Sequence, residues 1–357
     1  MSHADEAALQ YPLGDQLPGP GQALQVTPGV WWVRMGLPFA LDHINLWLLR
    51  DHHGGRDGWT LVDCGIDSPE TRQRWEQVFD QVLQGLPLLR VVVTHMHPDH
   101  VGLAHWLTER FSSDTVECRL WMSAADFQSA RMGTIATSGV GGEGAARFFA
   151  HHGLTDPDAL AKVRARRNHF SSLVPAMPSR YRRLLDGLSV DIGGQAWRVL
   201  VGYGHAPEHV SLHDAAGGVL ISGDMVLPRI STNVSVSDLE PEADPLALYL
   251  ASIEAMRALP ADTLVLPSHG RPFTGLHTRI GQLQAHHDDR LQAALDACRR
   301  SPHSAAELLP VLFHRALDLH QTTFAMGEAI AHLHLLQSMG RVQPATGADG
   351  VCRYAAV

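Results

Sequence analysis

The chain of 357 residues is too long for one small core and suits one large domain with a smaller one attached. Hydrophobic residues make up 45% and charged residues 18%, the balance of a folded globular protein. The 28 Lys and Arg against 37 Asp and Glu give a net charge of −9, so the average surface repels nucleic acids and anionic membranes. Histidine occurs 23 times, and this excess favours a metal site because histidine is the commonest metal ligand.

Cysteine spacing and the N-terminal segment predict a cytoplasmic protein. The four cysteines are scattered without a CxxC pair, which indicates reduced thiols; they are Cys64, Cys118, Cys298 and Cys352. Residues 1–21 contain neither a cationic start nor an apolar run, so no signal peptide is expected. No stretch reaches the roughly 18 apolar residues that cross a bilayer.

Short apolar runs separated by helical patterns occupy the first third of the chain. The predicted strands are Val30–Val33, Ile44–Leu49, Trp59–Cys64 and Leu88–Val93, and the predicted helices are Thr71–Leu83 and Val101–Phe111. The run at Leu88–Val93 is short and β-branched, as expected of a buried strand.

Residues 123–186 differ from the chain on either side. Between 123 and 185, nine Lys and Arg oppose four Asp and Glu, so this segment carries +5 in a protein of −9. We interpret it as an Arg-rich insertion that is either a solvated helix face or a cover that binds an anionic group at the active site. Strands then resume at Ala196–Val201, Val210–His213, Val219–Ser222 and Thr263–Leu266, with a helix at Leu246–Leu259.

Beyond Leu276 the pattern becomes helical and ends in a predicted hairpin. A capping box at Ser304–Glu307 opens a helix to Leu317, a second helix is predicted at Glu328–Met339, and the hairpin strands are Arg341–Pro344 and Val351–Tyr354. Three helices followed by a two-stranded wing are typical of a winged-helix module. The predicted division is a catalytic domain at 1–277 and this module at 278–357.

The segment Thr94-His95-Met96-His97-Pro98-Asp99-His100 carries the strongest chemical signal. Three histidines and one aspartate follow a buried strand within six residues, so their ligand atoms share a small volume. Further candidate ligands also follow strands and lie beside Gly or Pro, as expected where the backbone approaches a crowded centre; they are His205, Asp224 and His269. Imidazole and carboxylate ligands suit zinc, although iron or manganese fits the same donors.

This order of motifs resembles the metallo-β-lactamase-fold hydrolases, whose signature is HxHxDH followed by His, Asp and His. The resemblance covers roughly residues 26–274 and implies a four-layer αββα sandwich with two divalent metal ions at one edge of its two sheets. By position, His95, His97 and His205 hold the first metal. Asp99, His100 and His269 hold the second. Asp224 bridges the two, and Asp63 orients a ligand.

A dinuclear centre of this kind makes hydroxide available near neutral pH, and the hydroxide attacks the substrate while the metals polarise it. Asp99 and Asp224 are the candidate catalytic residues, and Asp99 has a second candidate role in steering the hydroxide. Tyr203, two residues before His205, is either a donor to a substrate carbonyl or an ordinary strand aromatic. His209 and His213 alternate along a strand and are interpreted as structural.

Departures from the family pattern narrow the substrate. A bridging aspartate is absent from the dinuclear zinc β-lactamases, so Asp224 argues against a lactam, and the glutathione-binding features of glyoxalase II are not recognisable. We therefore expect a small thioester, ester or lactone, including an acyl-coenzyme A whose phosphates contact Arg164, Arg167 or Arg183. The alternatives are a phosphodiesterase or endoribonuclease, and a metal-bound regulatory protein without catalysis.

The charge of the C-terminal module argues against nucleic acid as a partner. From Gln282 to Val357, six Arg oppose seven Asp and Glu, and a net charge of −1 is a poor phosphate-binding face. The module is instead expected to serve in packing or homodimerisation.

Overall fold

The computed structural model describes residues 6–39, 41–137, 139 and 141–357. The first five residues of the N-terminal segment, on which the signal-peptide prediction partly rests, lie outside the described residues, as do residues 138 and 140 of the Arg-rich insertion. The described chain forms two large sheets, one two-stranded sheet and helices on both outer faces.

The first sheet has seven strands in chain order. They are β1 (Ala23–Thr27), β2 (Val30–Gly36), β3 (His43–His53), β4 (Arg56–Val62), β5 (Leu88–Val92), β6 (Arg119–Met122) and β7 (Tyr181–Arg183). Strands β1 to β4 pair antiparallel, whereas β4 to β7 pair parallel. The carboxyl ends of β4, β5 and β6 therefore meet at one edge of the sheet.

The second sheet has five strands in the order β12-β11-β10-β9-β8. They are β8 (Ser189–Ile192), β9 (Gln195–Gly202), β10 (His209–Asp214), β11 (Val219–Gly223) and β12 (Leu264–Pro267). Strand β10 is antiparallel to β9 and β11, while β11 and β12 are parallel, so β9, β11 and β12 end at the same edge.

The helices lie on the two outer faces. They are α1 (Pro69–Gln81), α2 (Pro98–Val101), α3 (Ala104–Arg110), α4 (Ala124–Ile135), α5 (Gly142–His151), α6 (Pro157–Ala165), α7 (Phe170–Leu173), α8 (Pro245–Ala255), α9 (Leu276–Arg300), α10 (Ala305–Leu312) and α11 (Leu319–Ser338). Helix α1 begins where the Ser68 side chain accepts a hydrogen bond from the Thr71 N–H, and it buries Trp75 and Val78 against the first sheet.

Three apolar layers separate these elements. The layer between the sheets contains Trp32, Trp47 and Trp197, all at most 2% exposed. A second layer lies under α1, α3 and α4, and a third joins the five-stranded sheet to α8 and the C-terminal helices. This arrangement confirms the predicted αββα sandwich. It also divides the insertion, because α4 packs on the first sheet and α5 and α6 pack on the opposite side.

The C-terminal residues contain α9, α10 and α11, followed by the hairpin β13 (Val342–Thr346) and β14 (Cys352–Ala356). Tyr354 of the hairpin and Val265 of the second sheet belong to the same continuous apolar cluster. The predicted order of helices and hairpin is therefore confirmed. The winged-helix interpretation and the division at residue 277 stay predictions.

The structure corrects two predicted helices. The helix predicted from Val101 to Phe111 is interrupted at Gly102, because the Leu103 N–H bonds to the Gly65 carbonyl and a Cβ at Gly102 would lie 2.6 Å from that oxygen. The helix predicted to reach Leu317 ends at Leu312.

The last helix begins earlier than its apolar pattern indicates. A capping box formed by Asp318 and Gln321 opens α11 at Leu319, nine residues before the predicted start at Glu328. No helix in the described part of the chain has the length and apolar composition needed to cross a membrane.

Candidate metal centre

Four loops converge at the edge where the sheets meet. One follows β5 and contains His95 to His100, and the others follow β9, β11 and β12 and contain His205, Asp224 and His269. Hydrogen bonds join the two sheets here: the Val210 N–H donates to the Thr94 carbonyl at 2.7 Å. All seven predicted ligands are consequently brought to one place.

Three imidazoles form a first set. The distance from His95 Nε2 to His97 Nδ1 is 2.8 Å, and His205 Nε2 lies 3.1 Å from that His97 nitrogen and 3.2 Å from that His95 nitrogen. Burial, with the nearby His205, lowers the pKa of His97 to about 3, and burial lowers the pKa of His95 well below its usual value. Both rings are therefore neutral near pH 7, the state in which imidazole coordinates a metal.

Asp99, His100 and His269 form a second set. Asp99 Oδ2 lies 3.6 Å from His100 Nε2 and 3.4 Å from His269 Nε2. Burial alone would raise the pKa of Asp99, but the charge of His100 and the hydrogen bond and charge of His269 lower it to about 2. The carboxylate is therefore ionised over the whole neutral range.

Asp224 lies between the two sets, and its two oxygens face different partners. Oδ1 is 3.6 Å from His100 Nε2 and 3.5 Å from His269 Nε2, whereas Oδ2 is 3.4 Å from His205 Nε2. A carboxylate in this position can contribute one oxygen to each set.

The unpaired atoms of the centre fit a metal ion. His100 Nε2 and Asp224 Oδ1 are buried and have no hydrogen-bond partner among the described residues. Burial lowers the pKa of His100, but the charges of Asp63, Asp99 and Asp224 raise it well above its usual value, so this position favours positive charge. Divalent cations satisfy both the unpaired donors and this charge.

Hydrogen bonds on the far side of each ring fix the ligand orientation. His205 Nδ1 donates to the Asn233 carbonyl at 2.7 Å, and His269 Nδ1 donates to the His43 carbonyl at 2.7 Å. Asp63 Oδ2 lies 2.8 Å from His100 Nδ1. Each contact leaves Nε2 free to face the centre, which is the arrangement by which protein groups orient metal-binding imidazoles.

The comparison with protein families gives the identity of this centre. The sequence description "Metallo-beta-lactamase superfamily" matches residues 40–269, and "Metallo-beta-lactamase-like, C-terminal domain" matches residues 291–357. The chain belongs to the metallo-beta-lactamase superfamily. It is a metallo-hydrolase of that superfamily, with clusters of His and Asp that can hold metal ions.

Two relatives resemble this superfamily member over most of its length. A beta-lactamase domain protein from Burkholderia ambifaria has 56% sequence identity and a TM-score of 0.93, covering 99% of this chain and 100% of its own. "Probable metallo-hydrolase YqjP" of Bacillus subtilis (strain 168) is 25% identical over 333 residues, which are 87% of this chain and 93% of that protein.

A third relative matches a shorter region. "Linear primary-alkylsulfatase" of Pseudomonas sp. (strain ATCC 19151) is 25% identical over 230 residues, which are 61% of this chain and 40% of that protein.

The predicted substrate residues are dispersed around this superfamily centre. Tyr203 is 41% exposed, and its N–H donates to the Ser252 hydroxyl. Arg164 forms an ion pair with Glu143 at 2.5 Å, so its charge is partly offset. Arg167 and Arg183 are exposed, the latter at the end of β7. Their role with substrate stays a prediction.

Two residues near the centre were missed or undervalued by the sequence analysis. Asp126 is fully buried at the start of α4, and burial raises its pKa to about 6 even though the backbone N–H groups of Glu208 and Met96 donate to it. His209, interpreted as structural, accepts the Asp224 N–H on its Nε2. The Ser123-x-x-Asp126 capping pattern was visible in the sequence, but its link to the ligand loops was not.

Proposed function

We propose that the protein is a dinuclear metal-dependent hydrolase that cleaves a thioester, ester or lactone of a small organic acid. The observation that carries the dinuclear assignment is the position of Asp224, with one oxygen toward each set of ligands. Two divalent ions in such a centre act as Lewis acids and make hydroxide available near neutral pH. The donor set of five imidazoles and two carboxylates favours zinc over harder ions.

The protein's own groups leave one side of the centre open. His95, His100 and His269 are at most 2% exposed, whereas His97, Asp99 and His205 are only partly buried. A substrate carbonyl approaches from the side of these partly buried residues. Asp99, ionised at neutral pH, is positioned there to orient the attacking nucleophile and accept its proton.

Several features support a compact carbonyl substrate over a nucleic acid. The protein carries −9 overall, and its excess of Arg is confined to one insertion, where Glu143 already pairs with Arg164. An RNA-binding channel needs an extended run of cations along the strand. A small anionic group, such as a coenzyme A phosphate, needs only one or two, for which Arg167 and Arg183 are the exposed candidates.

The competing functions are outcomes of the same experiment. Zinc-loaded full-length protein is assayed against acyl-coenzyme A thioesters, a lactone, an aryl ester, a phosphodiester, single-stranded RNA and a primary alkyl sulfate, the last because of the alkylsulfatase relative. We expect turnover of at least one carbonyl compound and two zinc ions per chain. RNA or sulfate cleavage without carbonyl turnover would replace the proposed reaction, and the absence of all turnover with two bound ions would favour a regulatory role.

Two variants connect activity to the centre. Asp224→Asn should lose one metal equivalent and most activity, because the neutral amide offers only one oxygen. His52→Ala is the matched control, since His52 is an exposed histidine at the opposite end of the sandwich that pairs with Asp57. Equal zinc content in Asp224→Asn and wild type would contradict the bridging role.

A further inference from the structure

Asp126 lies between the two loops that carry the first set of ligands. It is the third residue of α4, which follows β6 of the first sheet, and its side chain is fully buried. It is none of the seven candidate ligands. Its carboxylate nevertheless contacts one loop from each sheet.

Each carboxylate oxygen accepts one backbone N–H from a ligand loop. Oδ1 accepts the N–H of Met96 at 2.8 Å, and Met96 lies between His95 and His97. Oδ2 accepts the N–H of Glu208 at 2.6 Å, and Glu208 lies in the loop after β9 that begins with His205. The two loops are held by one rigid group at the point where His97 and His205 approach to 3.1 Å.

Neighbouring contacts fix the carboxylate itself. The Ser123 hydroxyl donates to Asp126 Oδ2 at 3.2 Å and accepts the Asp126 N–H at 3.3 Å as the cap of α4. In the opposite direction, the Ala125 N–H donates to Glu208 Oε2 at 3.2 Å. The first turn of α4 and the His205 loop are thus joined by hydrogen bonds in both directions.

We propose that Asp126 is a positioning residue that sets the spacing of His95 and His97 relative to His205, and thereby the affinity of the first ligand set for its metal ion. The proposal rests on the proposed metal-dependent function, because it assumes that these three imidazoles share an ion. It explains why this position carries an ionised side chain: both N–H groups need an acceptor, and a carboxylate supplies two equivalent ones.

Asp126→Asn is the direct test because it preserves size and removes one acceptor. The amide NH2 then faces a backbone N–H, so one ligand loop loses its partner. Zinc affinity of the metal-free full-length protein is measured by competition with a chromophoric chelator, without any substrate. We expect one of the two zinc sites to weaken by about 10- to 100-fold, as for other groups that orient metal ligands. Affinities within twofold of wild type at both sites would overturn the proposal.

Ser123→Ala is the matched control. It removes the cap of the same helix but leaves both N–H bonds to Asp126 in place, so it should lower stability by about 1 kcal/mol without changing zinc affinity by more than about twofold. A loss of affinity equal to that of Asp126→Asn would assign the effect to general destabilisation of α4 and overturn the proposal.

A double-mutant cycle assigns the effect to the first set. In a His97→Ala background that set is already incomplete, so adding Asp126→Asn should not weaken the remaining zinc site further. An additional tenfold loss would place the effect elsewhere and overturn the assignment. Because affinity is measured without substrate, a wild type that binds two zinc ions but hydrolyses no ester would end the proposed reaction while leaving this comparison valid.

Hydrogen exchange in the wild type provides a test that needs no variant to fold. The amides of Met96 and Glu208 should exchange slowly, because each is bonded to a buried carboxylate. Exchange of both amides at the rate of the unstructured chain would contradict the contact and overturn the proposal.

Discussion

The imidazole of His209 lies against the backbone of Asp224, whose N–H donates to His209 Nε2 at 3.1 Å. This contact fixes the peptide that carries the bridging carboxylate. It also explains the preceding residue, because a Cβ at Gly223 would lie 2.3 Å from the same nitrogen. The ring of His209 therefore occupies space that only glycine leaves free.

Gly223→Ala should disturb the centre through this contact. The added methyl group displaces His209 or Asp224, so we expect zinc affinity to fall by about tenfold or more and stability to fall by about 1–3 kcal/mol. Calorimetric zinc titration and urea unfolding measure the two effects. The control is Gly218→Ala, which has a similar positive φ of 64° against 55° but no atom within 4 Å of the added Cβ. Equal zinc affinity in the two variants would contradict this role of His209.

Asp63→Asn should weaken the second set of ligands. Asp63 accepts hydrogen bonds from the Thr94 N–H and from His100 Nδ1, and its φ of 62° is one that asparagine also tolerates. Losing the charge removes the preference for the proton on Nδ1, so zinc affinity should fall by about 10- to 100-fold with little change in fold. Chelator competition and circular dichroism test this together. Unchanged affinity would show that the carboxylate does not control the orientation of His100.

Asp51→Ala should destabilise the protein without affecting the centre. Asp51 and Arg90 form a buried ion pair at 2.8 Å, and Arg90 also donates to the Asp191 carbonyl in the other sheet. Removing one partner leaves a buried charge unpaired, which costs about 3–5 kcal/mol of unfolding free energy in urea. Glu70→Ala, which removes the exposed i,i+4 pair with Arg74, should cost less than about 1 kcal/mol. A similar cost for both variants would contradict the structural weight given to the buried pair.

Acid should destabilise the side of the molecule near α5 through His152. Burial, with the charges of His151 and His334, lowers the pKa of His152 to about 3 from its ordinary value of 6.5. The unfolded chain therefore binds this proton more readily, so the contribution of neutral His152 to stability is complete above pH 6.5 and is lost as the pH falls toward 3.

The test compares urea unfolding of wild type and His152→Leu at pH 7 and pH 4.5. The wild type should lose about 2 kcal/mol more than the variant between these two pH values. Both are measured without metal, so that metal release does not contribute to the difference. Parallel pH dependence of the two proteins would exclude His152 as a source of acid sensitivity.

The sequence alone determined the fold class and the candidate ligands. Strands such as Leu88–Val92 are short apolar runs whose periodicity is local, and the ligands follow them within a few residues. The bridging role of Asp224 was likewise available from the family resemblance, because it depends on motif order rather than on distance.

Only the tertiary structure decided which groups support those ligands. Asp126, Asn233 and the His43 carbonyl are remote in sequence from the atoms they contact, and their own neighbourhoods contain no metal-binding pattern. The break at Gly102 depends equally on the approach of the Gly65 carbonyl from another strand's end. Periodicity and motif spacing record interactions between residues close along the chain, whereas these contacts exist only because packing two sheets brings distant loops within hydrogen-bonding distance.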